Sequence, residues 1–246
     1  SSEQFSFKEN NLSKEKLLEV RSVSVNYRSH ERGIFSKGKS VEAVSNVSLD
    51  IRKGERLGLV GESGCGKSTL TRTILGLQSA SSGYIKFEGQ EVSKYANSFK
   101  KNIQVVFQDP YGSFNPRQKI GRLITEPFFT LGREAPPETE QRIIAQKMLK
   151  EVGLSSESIE KYIHEFSGGQ RQRIAIARAL VIKPKLIIFD EAVSALDVSI
   201  RSQILKLISD LTERYGLSYL FISHDLTVIE NITENCLVMK NGKIVE

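Results

Sequence analysis

Hydrophobic and polar positions alternate along the chain with several periods, and each change of period predicts an element. From Lys16 the pattern is strand-like, with Leu18, Val20, Val23, Val25 and then Tyr27. Val44, Val47, Leu49 and Ile51 give a second half-buried strand, and Arg56–Val60 a short buried one. Thr69 to Leu75 is predicted as a helix, with Leu70, Ile74 and Leu77 at helical spacing. Ser79 to Gly83 breaks the pattern, Tyr84 to Gly89 alternates again, and Ile103–Phe107 is another strand. Between these lie polar stretches: residues 1–15 read as a tail, and 28–40 as a loop or hairpin tip.

Residues 109–172 differ in character. Turns at Asp109-Pro110-Tyr111-Gly112 and Asn115-Pro116-Arg117 lead into helical stretches over 120–131 and 137–152. The second is expected to carry Ile143, Ile144, Lys147, Met148 and Leu149 around one face. From Gln170 onward, continuous apolar runs alternate with helices. A helix over 171–181 precedes the strand 185–189, and an amphipathic helix over 199–214 precedes the strand 217–222. A short helical stretch over 226–232 and a hairpin-like segment from Cys236 close the chain. Such alternation implies a parallel sheet covered on both faces. The expected organisation is one α/β domain over 1–246. Its core, 16–108 and 173–246, carries an antiparallel β subdomain, and a helical subdomain over 109–172 is inserted in it. No repeat at solenoid spacing is visible.

Candidate chemistry concentrates at the ends of the buried strands. Gly61-Glu62-Ser63-Gly64-Cys65-Gly66-Lys67-Ser68-Thr69 fits G-x-x-x-x-G-K-[ST], with a strand before it and a helix after it. Glycines let successive N–H groups turn inward on phosphate. Lys67 would reach the outer phosphates and the Ser68 hydroxyl would ligate Mg²⁺. Asp190 and Glu191 follow the second buried strand: one acid suits Mg²⁺, the next suits activation of water. His224 follows the third buried strand and Gln108 the Ile103–Phe107 strand. His30 and His164 have no comparable setting. Phe166-Ser167-Gly168-Gly169-Gln170 opens a strong helix and so makes a second helix start suited to an anion. One phosphate loop has no use for that site within its own chain, which points to a dimer in which Ser167 caps the nucleotide of a partner.

Composition adds little constraint. With 39% hydrophobic and 26% charged residues the sequence is that of an ordinary globular protein. No apolar run approaches the roughly 20 residues that span a bilayer, and the first residues do not read as a signal peptide. Cys65 and Cys236 are far apart and suggest neither a disulfide nor a metal site. A net charge of +6 is compatible with nucleic acid, anionic lipid or nucleotide phosphates.

Taken in order, these motifs resemble the ATP-binding-cassette ATPases over residues 16 to 246. Gly61–Thr69 resembles Walker A, and Gln108 the Q-loop. Ser167, Gly168, Gly169 and Gln170 resemble the signature, with Phe166 where Leu is usual. Leu186–Glu191 resembles Walker B, Ser194-Ala195-Leu196-Asp197 the D-loop, and His224 the switch histidine. Tyr27 lies where the family stacks an aromatic on adenine. The resemblance implies a P-loop NTPase (RecA-like) core and a head-to-tail dimer enclosing two ATP molecules. The family assigns catalytic roles to Glu191, His224, Gln108 and Lys67, nucleotide contacts to Tyr27, Gly61–Thr69, Ser167–Gln170 and Asp197, and Mg²⁺ to Ser68, Gln108 and Asp190.

Longer segments, including Phe107-Gln-Asp-Pro-Tyr-Gly-Ser-Phe-Asn-Pro-Arg117, are similar to the bacterial oligopeptide, dipeptide and nickel importer ATPases. That similarity implies a peripheral subunit at the cytoplasmic face of the cell membrane. It would work with two permease subunits, a second ATPase (a heterodimer rather than a homodimer) and a solute-binding protein, without nucleic acid. Ala192 after Glu191 points weakly to the nickel and metallophore branch. Many members carry a C-terminal extension, whereas this sequence stops at Glu246. The alternatives are a soluble cassette ATPase acting on DNA or ribosomes, and a phosphate-loop kinase or GTPase. The first normally brings long heptads or two cassettes. The second leaves Ser167–Gln170 and His224 unexplained.

Overall fold

The computed structural model describes residues 13–28, 40–92 and 97–246. Most of the expected tail, most of the 28–40 loop and His30 lie outside them. In chain order the elements are β1 Lys16–Arg28, β2 Ser40–Arg52, β3 Arg56–Val60, α1 Lys67–Ile74, β4 Ser82–Phe87, β5 Gln90–Glu91, α2 Asn97–Asn102, β6 Ile103–Phe107, α3 Ile120–Thr125, α4 Glu138–Glu151, α5 Gly168–Leu180, β7 Leu186–Asp190, α6 Val198–Tyr215, β8 Ser218–Ser223, α7 Leu226–Glu230, β9 Asn235–Lys240 and β10 Lys243–Ile244. They form two compact units, 1–96 with 221–246, and 97–220.

The first unit holds an antiparallel sheet in the order β2-β1-β4-β5. In β1 the buried positions run Leu18 and Val20, then Val23 and Val25, so the alternation slips by one residue. β2 slips likewise between Val44 and Val47. The structure absorbs both slips in one irregularity, with Ser22 at φ 49 and Asn46 at φ 51 and register shifts on either side of Val23. A bulge of this kind keeps the apolar residues of both strands on one face. Elsewhere in this unit β3 runs parallel to β9, with Leu57 opposite Asn235 and Val60 opposite Val238, and β9 lies between β3 and β10. Every residue of β3 is buried, which explains the apolar run Leu57–Val60 that follows Arg56.

In the second unit β6 and β7 are parallel and in register from Ile103↔Leu186 to Phe107↔Asp190. Ile188 and Phe189 of β7 are at most 1% exposed, and each such side chain contributes roughly 1.5–3 kcal/mol by leaving water. The stretch between β6 and α5 holds helices and turns and, among the described residues, no strand, apart from a bridge between Lys119 and Tyr162.

Three expectations change. The helix expected over 120–131 ends as α3 at Thr125 and gives way to a 3-10 stretch, Glu126–Glu134. Pro127 has no N–H to continue the ladder, and Gly132 at φ 55 kinks the end of that stretch. Ile143 is 65% exposed. The buried stripe of α4 is Ala145, Met148 and Leu149, continued by Val152, and Ile143 lies more than half a turn from Ala145. Leu77 is 62% exposed and outside α1. Its N–H returns to the Arg72 carbonyl (2.8 Å) and that of Gly76 to Thr73 (3.0 Å), a Schellman stop. The same Gly-Leu stop ends α4 at Gly153-Leu154 and α6 at Gly216-Leu217.

Glu160 joins three surface segments of the second unit. It accepts from Lys119 (2.8 Å) and from Arg142. Those two hydrogen bonds, Lys119 first, hold its carboxyl down to about 2 from the ordinary 4.5. A depressed carboxyl stabilises the fold above its unfolded value and loses that contribution as pH falls towards the folded one. The expected outcome is that the unfolding midpoint of Glu160→Gln lies below that of the parent at neutral pH, and that the two converge between pH 4.5 and 2. Thermal unfolding across that range checks it.

Candidate functional site

The first unit carries the phosphate loop. Buried β3 ends at Val60, the loop runs from Gly61 to Gly66, and α1 begins at Lys67. Gly66 caps α1 at φ 111 with no side-chain cap bond, and the first turn of α1 contains no acid. The helix start therefore offers its N–H groups and positive dipole end to an external anion. Lys67 is only 4% exposed, and its ammonium donates to the carbonyls of Gly61 (2.6 Å) and Glu62 (2.8 Å). A buried cation beside a helix start without a side-chain cap is the donor set a polyphosphate requires, so the residues present fit ATP. Cys65 is buried in the loop, whereas Glu62, Ser63, Gly64 and Ser68 are exposed.

Tyr27, at the end of β1, reaches the same place. Its hydroxyl lies 3.4 Å from the Thr69 hydroxyl. His224 is exposed just past β8. The preceding Ser223 carbonyl accepts from the Gly61 N–H at 3.4 Å, so the structure brings His224 to the root of the loop. Asp225 then caps α7 by accepting from the Thr227 N–H.

The second unit carries the acids and the signature. Because Phe107 pairs with Asp190, Gln108 and Glu191 leave neighbouring parallel strands side by side at their carboxyl ends, where ligand chemistry collects. Asp190 is 7% exposed, and Glu191 is half-buried with a left-handed φ of 53. The Glu191 carbonyl is tied by the Ser194 hydroxyl (2.9 Å) and N–H (3.1 Å). The Ser68 hydroxyl, the Gln108 amide oxygen and the Asp190 carboxylate are hard oxygen donors of the kind Mg²⁺ takes.

Ser167 is the N-cap of α5, in a reciprocal box with Gln170. The Ser167 hydroxyl accepts from the Gln170 N–H (3.4 Å), and the Gln170 amide oxygen from the Ser167 N–H (3.0 Å). Gly168 and Gly169 thus lie inside the first turn. Leu196 and Ile200, on either side of the start of α6, pack on these glycines, which sets Asp197 beside the signature.

Sequence reasoning missed the grip of α5 on the segment after Gln108. Arg171 stacks over Tyr111 at 4.8 Å and Arg178 over Phe114 at 4.4 Å. Arg178 also donates to the Ser113 carbonyl (3.0 Å) and hydroxyl (3.1 Å). Burial pulls its pKa down, against Glu126, whose carboxylate lies 3.7 Å away. The seven-residue spacing of the two arginines on one helix face was the available signal.

Comparison with known proteins decides the family. The ABC transporter family description matches residues 44–194. The chain is 48% identical over 238 residues to the oligopeptide transport ATP-binding protein AppF of Bacillus subtilis, covering 94% of this chain and 71% of that one. It is 46% identical to the dipeptide transport ATP-binding protein DppF of Escherichia coli, covering 88% of this chain and 65% of that one. The chain belongs to the ABC transporter family. Its fold is the P-loop cassette: a dimeric ATP-binding cassette solved in a post-hydrolysis state with ADP and Pi superposes with a TM-score of 0.80 at 27% identity, covering 93% of this chain and 97% of that one. This ABC cassette is therefore an ATP-binding ATPase.

In this cassette a Cβ on Gly169 would lie 2.6 Å from the Ile200 Cγ2. Gly169→Ala is expected to cost about 1–3 kcal/mol by overpacking. In an Ile200→Ala background the cost shrinks, because the overlapped methyl is gone. Urea unfolding of both single variants and the double variant checks that coupling.

Proposed function

We propose that this ABC cassette is the ATP-hydrolysing subunit of a peptide importer, working in a head-to-tail pair on separate permease subunits at the cytoplasmic face of the cell membrane. The observation that carries the solute class is the likeness, over 88–94% of this chain and 65–71% of the relatives, to an oligopeptide and a dipeptide transport ATP-binding protein. Nickel or metallophore import rests only on Ala192 and is the weaker reading. No helix among the described residues is long and apolar enough to cross a membrane; in this reading the permease is formed by other chains.

In this reading Lys67 and the N–H groups of Gly61–Thr69 hold the β- and γ-phosphates, and Tyr27 faces the adenine. Ser68, Gln108 and Asp190 hold Mg²⁺, which when bound neutralises phosphate charge. Glu191 draws the proton from the attacking water, and His224 steadies the γ-phosphate side. Ser167–Gln170 presents the start of α5 to the nucleotide of the partner cassette, and Asp197 lines the same interface. Residues 109–172 act as the helical subdomain that receives the permease, and the partner cassette is a sister ATPase rather than a second copy. A solute-binding protein completes the complex.

Glu191→Gln is expected to keep ATP affinity while lowering turnover by about 100-fold or more, since the amide cannot take the proton. ATP titration and phosphate release measured side by side test this, and near-normal turnover removes Glu191 as the base. For the assembly, isolation from native membranes in mild detergent, with partners identified by mass, is expected to yield two permeases and a second ATPase. A chain that comes out alone or with nucleic acid shifts the assignment to a soluble cassette ATPase.

A further inference from the structure

Two stretches far apart in sequence meet beside the phosphate loop, both within the first unit. β9 and β10 are joined by Asn241-Gly242, with φ of 48 and 78 and Lys240 paired to Lys243. This is the two-residue hairpin that an Asn-Gly pair favours. The Gly242 N–H donates to the Cys65 carbonyl at 2.8 Å, and the Gly242 carbonyl accepts from the Ser45 N–H at 2.8 Å. The packing is close. A Cβ on Gly61 would lie 2.4 Å from the Met239 carbonyl oxygen, and one on Gly66 2.3 Å from that of Ala43. The loop is thus backed by β2 and by the hairpin through backbone atoms.

The geometry of the peptide gives this contact a consequence. The Cys65–Gly66 peptide is planar and trans, so its C=O and N–H point in opposite directions. With the Cys65 carbonyl held on Gly242, the Gly66 N–H faces away from the hairpin. Gly66 is the cap of α1, so that N–H is one of the helix-start donors an anion meets. Released from Gly242, the peptide could rotate and turn a carbonyl towards the phosphates instead.

We propose that Gly242 is a positioning residue for ATP: its N–H fixes the plane of the Cys65–Gly66 peptide and so aims the Gly66 N–H at bound phosphate. The inference rests on the phosphate-holding role assigned above to Gly61–Thr69. It extends the nucleotide site to a hairpin outside the phosphate-loop motif.

The test removes the one N–H. Cys236 permits ligation of a synthetic peptide, residues 236–246, in which the Asn241–Gly242 amide is an ester; the all-amide ligation product is the reference. Loss of one hydrogen bond of ordinary net strength is expected to raise the Kd for ATP, and with it KM, about three- to tenfold. The value of kcat is expected to stay within about twofold, because bound nucleotide is held by the remaining donors. The unfolding midpoint without nucleotide is expected to stay close to the reference. An unchanged Kd, or a lowered midpoint with unchanged Kd, overturns the proposal. Should the ester protein not fold, Gly242→Ala, which keeps the N–H but strains the turn that holds it on the Cys65 carbonyl, gives the second readout. Its Cβ would lie 3.0 Å from the Ala43 carbonyl oxygen at a φ of +78. Asn241→Gly, which keeps the turn, should bind ATP as the parent does. Lys67→Ala runs in parallel. If it binds ATP as tightly as the parent, the loop assignment itself fails, and the proposal with it. If it loses ATP while the ester and Gly242→Ala do not, the proposal alone fails.

Discussion

A buried ammonium governs the first unit. Lys67 lies almost wholly out of water, and its charge is held by two carbonyls of its own loop, those of Gly61 and Glu62. An ion buried this way is tolerable only where oxygen dipoles or an anion meet it. The chain supplies the dipoles by curling Gly61–Gly66 around the side chain, and the loop stays curled because it is anchored at both ends. Fully buried β3 fixes its start and α1 fixes its end. The uncapped start of α1 adds positive potential to the ammonium. Such a site favours a multiply charged anion over any neutral ligand, and ATP binding is the direct outcome of that electrostatic arrangement.

Legibility in the sequence depended on the range of each cause. The loop, its flanking strand and helix, and the paired buried strands are local patterns, and the chain states them openly. The phase slips at Val20–Val23 and Val44–Val47 were visible too, although only the structure puts them opposite each other in one bulge. Boundaries failed where a single residue overrides a periodic pattern, as Pro127 does after α3 and Gly76 does after α1. Ile143 misled for another reason: a helix flanked by apolar residues on two sides does not declare which side meets a neighbour. The contact of Gly242 with Cys65 could not be read at all, because nothing local to either residue records it.

The basic excess of the sequence also takes on a different aspect. A net charge of +6 suggested polyanionic partners, yet several arginines of the second unit are engaged inside it. Arg171 bonds the Ile163 carbonyl, Arg173 the Val152 carbonyl at the end of α4, and Arg178 the Ser113 carbonyl. Guanidinium groups suit this work because their planar forks satisfy carbonyl oxygens and stack on rings at once. α5 therefore does two jobs with one sequence. Its first turn, capped by Ser167 and Gln170, carries the signature, while its length ties down the segment following Gln108. Tyr111 and Phe114 are thereby clamped to the helix that Ser167 begins.

The pair Asp190-Glu191 illustrates how one backbone angle divides labour between neighbours. Successive residues of an extended strand point to opposite faces. Two adjacent acids continuing β7 would therefore diverge, and one would be driven into the apolar layer beside the sheet. Asp190 ends the strand and is buried with it. The chain then leaves the strand at Glu191 through a left-handed φ of 53, a conformation that costs a non-glycine residue about 1 kcal/mol or more. Ser194 holds that turn by bonding the Glu191 carbonyl twice. The strain is local and compensated, and its effect is to free the second carboxylate from the alternation of the strand. An acid suited to a metal and an acid suited to water can then stand next to each other in sequence without sharing an environment.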